Sequence, residues 1–461
     1  MGPAADRGVI EWLPWGGEAF RRARTEGRPI LLSVVTGWAP GCAEMDRCCY
    51  ADARTVEAIN ASVVPVRVDA DQRPDVADRY DLGGLPTTAF LTAAGELLGG
   101  GTFVSSERLC AALAKLADHA DRFLAAPRHP LSETCTNGVI DDSTLEAAVY
   151  ATHDAEHGGF GGAPKFPLTA PIRLAIDLHV ERGAPAMLEC ATRTLDAIGW
   201  GSLYDDPGGG FFRCSSAADW SDPQRQKLLS VNAALLEIFV HAGQMLEQDR
   251  WLQRAADVVA YLNDALPSPA GWPVAEGVDS SARFCDGNAQ AVSAMLHAAA
   301  VTQDDRIGRR VLEVLERVLL ATYKPGHGVA HSARGVRGLL TDQIAMAAAN
   351  LDAWDATGNV VYRMMAEELM HYTLRTMWDD ESGALFDRDT SGDPAEPLPQ
   401  TVKPFVLNSE AAVILHRLAQ ATNDAMFARR AAEIIDALAP TALRHGAIAA
   451  HYLLARRAVL R

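Results

Sequence analysis

Apolar residues along this chain follow two rhythms. Up to about residue 105 they come in short, β-branched runs: Arg28–Val35, Ser62–Val68, Thr88–Thr92 and a weaker run at Leu97–Phe103. Runs of that length bounded by Gly and Pro predict buried strands. Between them the pattern predicts a short helix over Glu18–Glu26, stopped by Gly27, and a second from residue 55 to the strand at Ser62. An amphipathic helix over Ser106–Leu124 closes the segment. Ala125–Asn137, polar and carrying two prolines, reads as a linker.

Beyond residue 140 the strand-like runs vanish and Ala/Leu-rich helical periods follow one another. They predict helices near 141–152, 169–182, 186–199, 223–247, 250–265, 286–302, 305–322, 339–357, 361–377, 407–422, 425–439 and 446–459. Glycine turns followed by an apolar or aromatic residue recur at Gly159, Gly209, Gly271, Gly328, Gly383 and Gly446, in steps of 50, 62, 57, 55 and 63 residues. Each step holds two helices, and long loops alternate with tight turns such as Glu247-Gln248-Asp249. A helical pair buries one face only, so neighbouring pairs must stack. The alternation places the long loops at one end of the stack, where a pocket is expected. The division is therefore 1–124, a linker over 125–140, and a repeat region over 141–461.

With 461 residues, 48% of them hydrophobic, the chain holds two or three domains with ample core. A net charge of −17 excludes nucleic acid and anionic membranes as expected partners. The absence of a run of about 18 apolar residues excludes a membrane span, and the first residues carry no apolar signal segment. A cytoplasmic location is expected, with the eight cysteines reduced. No paired CxxC repeat is present, so a structural zinc site is not expected; no metal and no cofactor are among the expectations.

The chemistry begins at Trp38-Ala39-Pro40-Gly41-Cys42, where a turn after the first strand opens a helix, and at Gly84-Leu85-Pro86-Thr87, where a proline feeds another strand. This resembles a thioredoxin-fold redox site, in which two cysteines bracket a helix N-terminus opposite a cis-proline. By that resemblance Ala39 holds the place of the first cysteine and only Cys42 remains, so a CxxC disulfide cannot form. Trp12-x-Pro14-Trp15-Gly16-x-Glu18-Ala19-Phe20, Val66-x-Val68-Asp69-x-Asp71-x-Arg73-Pro74-Asp75 and Gly158-Gly159-Phe160-Gly161-x-Ala163-Pro164-Lys165-Phe166-Pro167 are similar to segments of the spermatogenesis-associated thioredoxin-domain proteins. That resemblance implies an α/β thioredoxin-like domain followed by an all-α (α/α)6 toroid like those of six-hairpin glycosidases and N-acylglucosamine 2-epimerases. It also implies that Trp220–Ala233 departs from the family pattern: Gln224, Gln226, Ser230 and Val231 stand where proton-moving or acidic groups are usual.

Candidate residues follow from residue type and place. Cys42, at a helix N-terminus, is a candidate thiolate; with Cys48 or Cys49 it is an alternative soft-metal site. The long loops and adjoining helix starts offer Asp219, Asp222, Asp286, Asp342 and Asp387 as carboxylates for hydrolysis, with Asp342 the catalytic candidate and Asp286 a substrate-binding one; Asp286 and Asp342 also sit where an N-cap is wanted. His327-x-x-x-His331 offers two histidines for proton transfer. Lys165, Arg213 and Lys227 would place positive charge at the ring mouth, with Gln226 as a hydrogen-bonding group. Phe160 and Trp220, together with Phe211, Phe212 and Trp272, are either stacking surfaces or loop anchors. Three readings stay open: a protein that binds a small polar or anionic molecule on the toroid, with a protein partner allowed; an isomerase or hydrolase acting on a sugar or another small polar metabolite; and single-thiol or metal-dependent chemistry at Cys42.

Overall fold

The computed structural model describes residues 9–118, 141–265, 270–278, 282–389 and 402–460. The expected linker over 125–140 lies outside them. The chain divides into two compact units, one holding residues 9–118 and the other residues 141–389 and 402–460 of the described chain.

The first unit is built on β1 (Leu13–Pro14), β2 (Ile30–Val35), β3 (Val64–Asp69), β4 (Thr87–Leu91) and β5 (Leu97–Gly101), with helices α1 (Gly17–Glu26), α2 (Pro40–Met45), α3 (Ala53–Ser62), α4 (Pro74–Arg79) and α5 (Ser106–Asp118). Strand order is β1-β3-β2-β4-β5. β3 runs parallel to β1 and β2, whereas β4 is antiparallel to β2 and β5. The continuous apolar run of β2 has a physical cause. Ile30, Leu32 and Val34 join one core with Trp15 and Phe20, while Leu31 joins the other with Met45, Ile59 and Leu109. A strand covered on both faces has no polar side to show.

The second unit is a ring of twelve helices among the described residues: α6 (Asp142–Tyr150), α7 (Ala170–Arg182), α8 (Pro185–Trp200), α9 (Leu229–Met245), α10 (Asp249–Ala265), α11 (Cys285–Thr302), α12 (Asp305–Thr322), α13 (Leu340–Thr357), α14 (Val360–Thr376), α15 (Phe405–Thr422), α16 (Ala425–Leu438) and α17 (Ala450–Val459). The odd-numbered helices from α7 to α17 pack in sequence order, and α17 returns to α7. That closes an (α/α)6 toroid whose sixth hairpin is made by α17 and α6, tied by Arg456 to Asp142. The inner helices are small-residue and buried nearly all round, as in Ala289–Ala299 of α11. Outer α12 instead buries a stripe of Val311, Val314, Leu315 and Val318 and turns charge outward. No helix among the described residues is long and apolar enough to cross a membrane.

The helix expected from residue 223 starts at Leu229. Pro223–Gln224 instead pair with Cys214–Ser215 as a two-residue hairpin, and Leu228 takes an extended cap conformation.

The glycine repeat has one structural explanation at four of its copies. An amide near the start of the inner helix grips the backbone of the apolar residue in the preceding long loop. Asn232 accepts from Phe211 N at 2.7 Å, Asn288 from Trp272 N at 2.8 Å, Gln343 from Val329 N at 2.9 Å and Asn408 from Leu385 N at 2.7 Å. Each side-chain NH2 donates back to that residue's carbonyl and to the carbonyl four positions earlier in the chain. The glycine before the grip is obligatory in at least one copy: at Gly210, with φ +73°, a Cβ would sit 2.6 Å from the Tyr261 ring.

Candidate functional site

In the first unit Ala39 caps α2, and the Cys42 amide donates to its carbonyl at 3.0 Å. The Leu85–Pro86 peptide is cis, and a Cβ on Gly41 would lie 3.2 Å from Pro86 Cδ, so this proline sits against the start of α2. The site keeps its frame. The thiol, however, is only 4% exposed. Burial pushes its pKa up and nearby Asp46 adds to this, outweighing a backbone hydrogen bond from Thr36. Burial therefore opposes the expected thiolate. A π-helical turn over Asp46–Tyr50 follows α2. It leaves Cys48 exposed and buries Cys49 among Leu31 and Met45, where burial pushes the Cys49 thiol up to about 11. Among the described residues no cysteine belongs to a group of three metal-type donors.

In the toroid the expected mouth cations are used inside the loops. Lys165 is fully buried, its Nζ 2.6 Å from Asp154 Oδ2 and 2.7 Å from the Ala218 carbonyl. Lys227 is buried between Asp205, at 2.7 Å, and Glu276, at 3.2 Å. Lys403 repeats the arrangement with Asp379 at 2.5 Å. Arg213 binds the Gln224 side chain, and the Gln226 carbonyl accepts the Arg213 amide at 2.8 Å. Phe160, Phe211, Phe212, Trp220 and Trp272 are all buried. Trp220 donates to the carbonyls of His157 and Gly158, and Trp272 to that of Leu262. These rings are loop anchors, because each fills the space between its loop and the helices below it.

The expected histidine pair is split. His327 lies exposed on its loop, whereas His331 is buried. His331 instead meets two residues far from it in sequence. Its Nδ1 lies 2.9 Å from Asp342 Oδ1 and 3.9 Å from Asp286 Oδ1. Three residues singled out separately in the sequence thus converge at the N-terminal ends of α11 and α13. Burial pushes the Asp342 carboxyl up to about 6, with the His331 charge working against it.

A second assembly crosses the inner helices. His297 of α11 has Nδ1 3.6 Å from Glu237 Oε2 of α9 and Nε2 3.5 Å from Asp352 Oδ1 of α13. Arg173 of α7 reaches Glu237 at 3.2 Å. Arg417 of α15 reaches Asp352 at 2.8 Å. His451 of α17 lies 3.7 Å from Glu410 of α15. These charged contacts involve all six inner helices. Although burial opposes it, contact with Asp352 and Glu237 drives His297 up to about 10. Against its own burial, Asp352 is held down at about 2 by His297 and Arg417. Burial and the Glu237 charge push Glu410 up to about 7, and burial brings His451 down to about 4. Even so, the side chains of Glu410 and His297 keep 44% and 42% of their exposure.

Residues 4–134 match the family described as "Protein of unknown function, DUF255" (Thioredox_DsbH). An uncharacterized protein of Caenorhabditis elegans is 27% identical over 303 residues, covering 59% of this chain and 42% of its own length. Spermatogenesis-associated protein 20 of Rattus norvegicus is 26% identical over 307 residues, covering 59% of this chain and 39% of its own. The chain is thus similar to the spermatogenesis-associated thioredoxin-domain proteins over 59% of its length. It spans about two-fifths of the length of the curated relatives it matches. The toroid's fold recurs in a sugar epimerase from a ruminal bacterium, with a TM-score of 0.54 at 15% identity over 64% of this chain and 85% of that one. It recurs also in a GH76 alpha-mannanase of Bacteroides thetaiotaomicron, with a TM-score of 0.53 at 11% identity over 70% and 97%.

The inner-helix charges escaped sequence reading. A signal for them existed. Glu237 and His241 are the ionisable residues of α9, and Asp286 and His297 those of α11, on helices otherwise apolar or small. An ionisable group on a helix buried all round must be paired or must face water inside the fold.

Proposed function

We propose that the toroid interior receives a small polar molecule of the sugar kind, and that the thioredoxin-like unit performs no dithiol exchange. The observation that carries this reading is the charged assembly on all six inner helices. Apart from the buried Asp352 its side chains retain solvent exposure, and within it the protonation of His297 and Glu410 is strongly perturbed. Groups in that condition line a water-filled chamber, and perturbed ionisable groups in a chamber mark binding and reaction sites. Arg173 and Arg417 supply donors in fixed forks, and Glu237 and Glu410 supply acceptors. Such a mixed set suits hydroxyl groups. Proteins with this fold include ones described as a sugar epimerase and a D-mannose isomerase, and the ligand class is carried over as part of the proposal.

One observation favours turnover over binding alone. Glu410, with its pKa near 7, lies beside the neutral His451. A carboxyl near its midpoint and a neutral base at neutral pH can accept and return the proton moved in abstraction next to a carbonyl.

Saturation-transfer NMR on the full chain with D-glucose, D-mannose and N-acetyl-D-glucosamine tests the binding reading. Transfer to at least one sugar, weakened in Glu410→Gln, is expected; transfer to none would overturn it. The same samples in D2O test turnover. Deuterium entering the sugar at the carbon beside the carbonyl, and lost in Glu410→Gln, supports an isomerase; binding without exchange restricts the interior to binding.

A further inference from the structure

Asp286, His331 and Asp342 come from three separate places: the second residue of α11, the loop before α13, and the third residue of α13. Their donor atoms all lie within 4.8 Å of one another, and no other trio among the described residues does this. Asp342 has no exposed surface, and its second oxygen, Oδ2, has no hydrogen-bond partner. A buried carboxylate oxygen without a donor is costly, and a cation beside it would offset that cost.

Ring and backbone contacts position the trio. The His331 ring stacks on Phe284 with centroids 4.8 Å apart. The His331 amide donates to the Val336 carbonyl at 2.7 Å, and its own carbonyl accepts the Cys285 amide at 2.8 Å. Asp286 Oδ1 accepts the Gly287 amide at 2.7 Å. Two atoms bonded to one ion at about 2.0–2.2 Å cannot be more than about 4.4 Å apart. The separations from His331 Nδ1, at 2.9 and 3.9 Å, fall inside that bound, and the two carboxylates lie within 4.8 Å of each other, a gap that the partly exposed Asp286 side chain would close on an ion.

We propose that Asp286, His331 and Asp342 form a binding site for a divalent first-row transition metal. The donor set selects the class. An imidazole with two carboxylates and no thiolate suits Mn2+, Fe2+, Co2+ or Zn2+, whereas Ca2+ and Mg2+ favour all-oxygen sites. Two helix N-termini disfavour a cation there, but their partial charges are outweighed by two carboxylates. Asp286 keeps partial exposure, which provides both an entry path and the side on which water or a substrate oxygen completes the coordination. This departs from the expectation that the chain holds no metal. It does not rest on the reading of the ring interior, whose residues are different.

The test uses the full, untagged chain, stripped with a chelator and titrated with Co2+ in the spectrophotometer. One equivalent per chain, with visible d–d absorption displaced by Zn2+, is expected. Asp286→Asn, at a partly exposed position that leaves folding intact, should weaken binding at least about tenfold. Asp342→Asn should abolish it. Absence of a stoichiometric equivalent would overturn the site. So would an unchanged affinity in Asp286→Asn, since the ion would then sit on other carboxylates. Should Asp342→Asn fail to fold, Asp286→Asn decides alone.

Discussion

The start of α2 and the interior of the ring make an instructive pair. The first keeps the frame of a reactive site, with a helix N-terminus and a cis-proline against it, but Ala39 provides no partner and Cys42 is buried with its pKa raised. The second has no motif at all, yet it concentrates acids, bases and guanidinium groups that hold one another in unusual charge states. A recognisable frame is therefore no guide to reactivity by itself, and the company that ionisable groups keep is the better pointer.

The strongest challenge to this contrast is to remove one charge from the ring. Asp352→Ala strands His297 and Arg417, and should cost about 3 kcal/mol in chemical denaturation. That is the lower end for a broken buried pair, because both partners also reach solvent. Asn232→Ala tests the loop grip instead. It leaves the buried Phe211 amide and carbonyl unpaired and should cost about 2 kcal/mol.

A pH series sharpens the picture with a smaller effect. Glu410, raised from 4.5 to about 7, keeps its proton in the folded state where the unfolded chain has lost it, so its contribution falls as pH rises through that window. His451, lowered from 6.5 to about 4, refuses a proton that the unfolded chain takes, so its contribution rises with pH between those values. The two oppose each other between about pH 4.5 and 6.5. Relative to the parent, Glu410→Gln should gain stability with rising pH across this window, and His451→Gln should lose it. The smallest effect belongs to the first unit: Cys42→Ala should change stability by less than about 1 kcal/mol, and the parent chain should show no disulfide reductase turnover.

The fold was legible because it rests on periodicity. Double-faced burial of β2 gave its unbroken apolar run, and the glycine copies marked a repeat of helical pairs; that the pairs close into a ring was implied by the family resemblance. The mouth trio was legible as separate residues, since Asp286, His331 and Asp342 stand at helix starts and in a long loop where chemistry concentrates. Their convergence was not, for it depends on how α11 and α13 pack. Lys165 and Lys227 misled because a basic residue in a loop reads as surface charge, and nothing local reveals that Asp154 or Asp205 waits beneath it. The interior charges stayed hidden because helical periodicity records which residues are apolar. It does not record which rare polar ones face an axis formed by helices far apart in sequence.

The most direct test of where the chemistry resides is a pH titration of the imidazole resonances of the full chain by NMR. The account predicts that His297 stays protonated to about pH 10 and His451 stays neutral down to about pH 4. Both rings titrating near 6.5 would contradict it, because the interior would then be ordinary solvated surface.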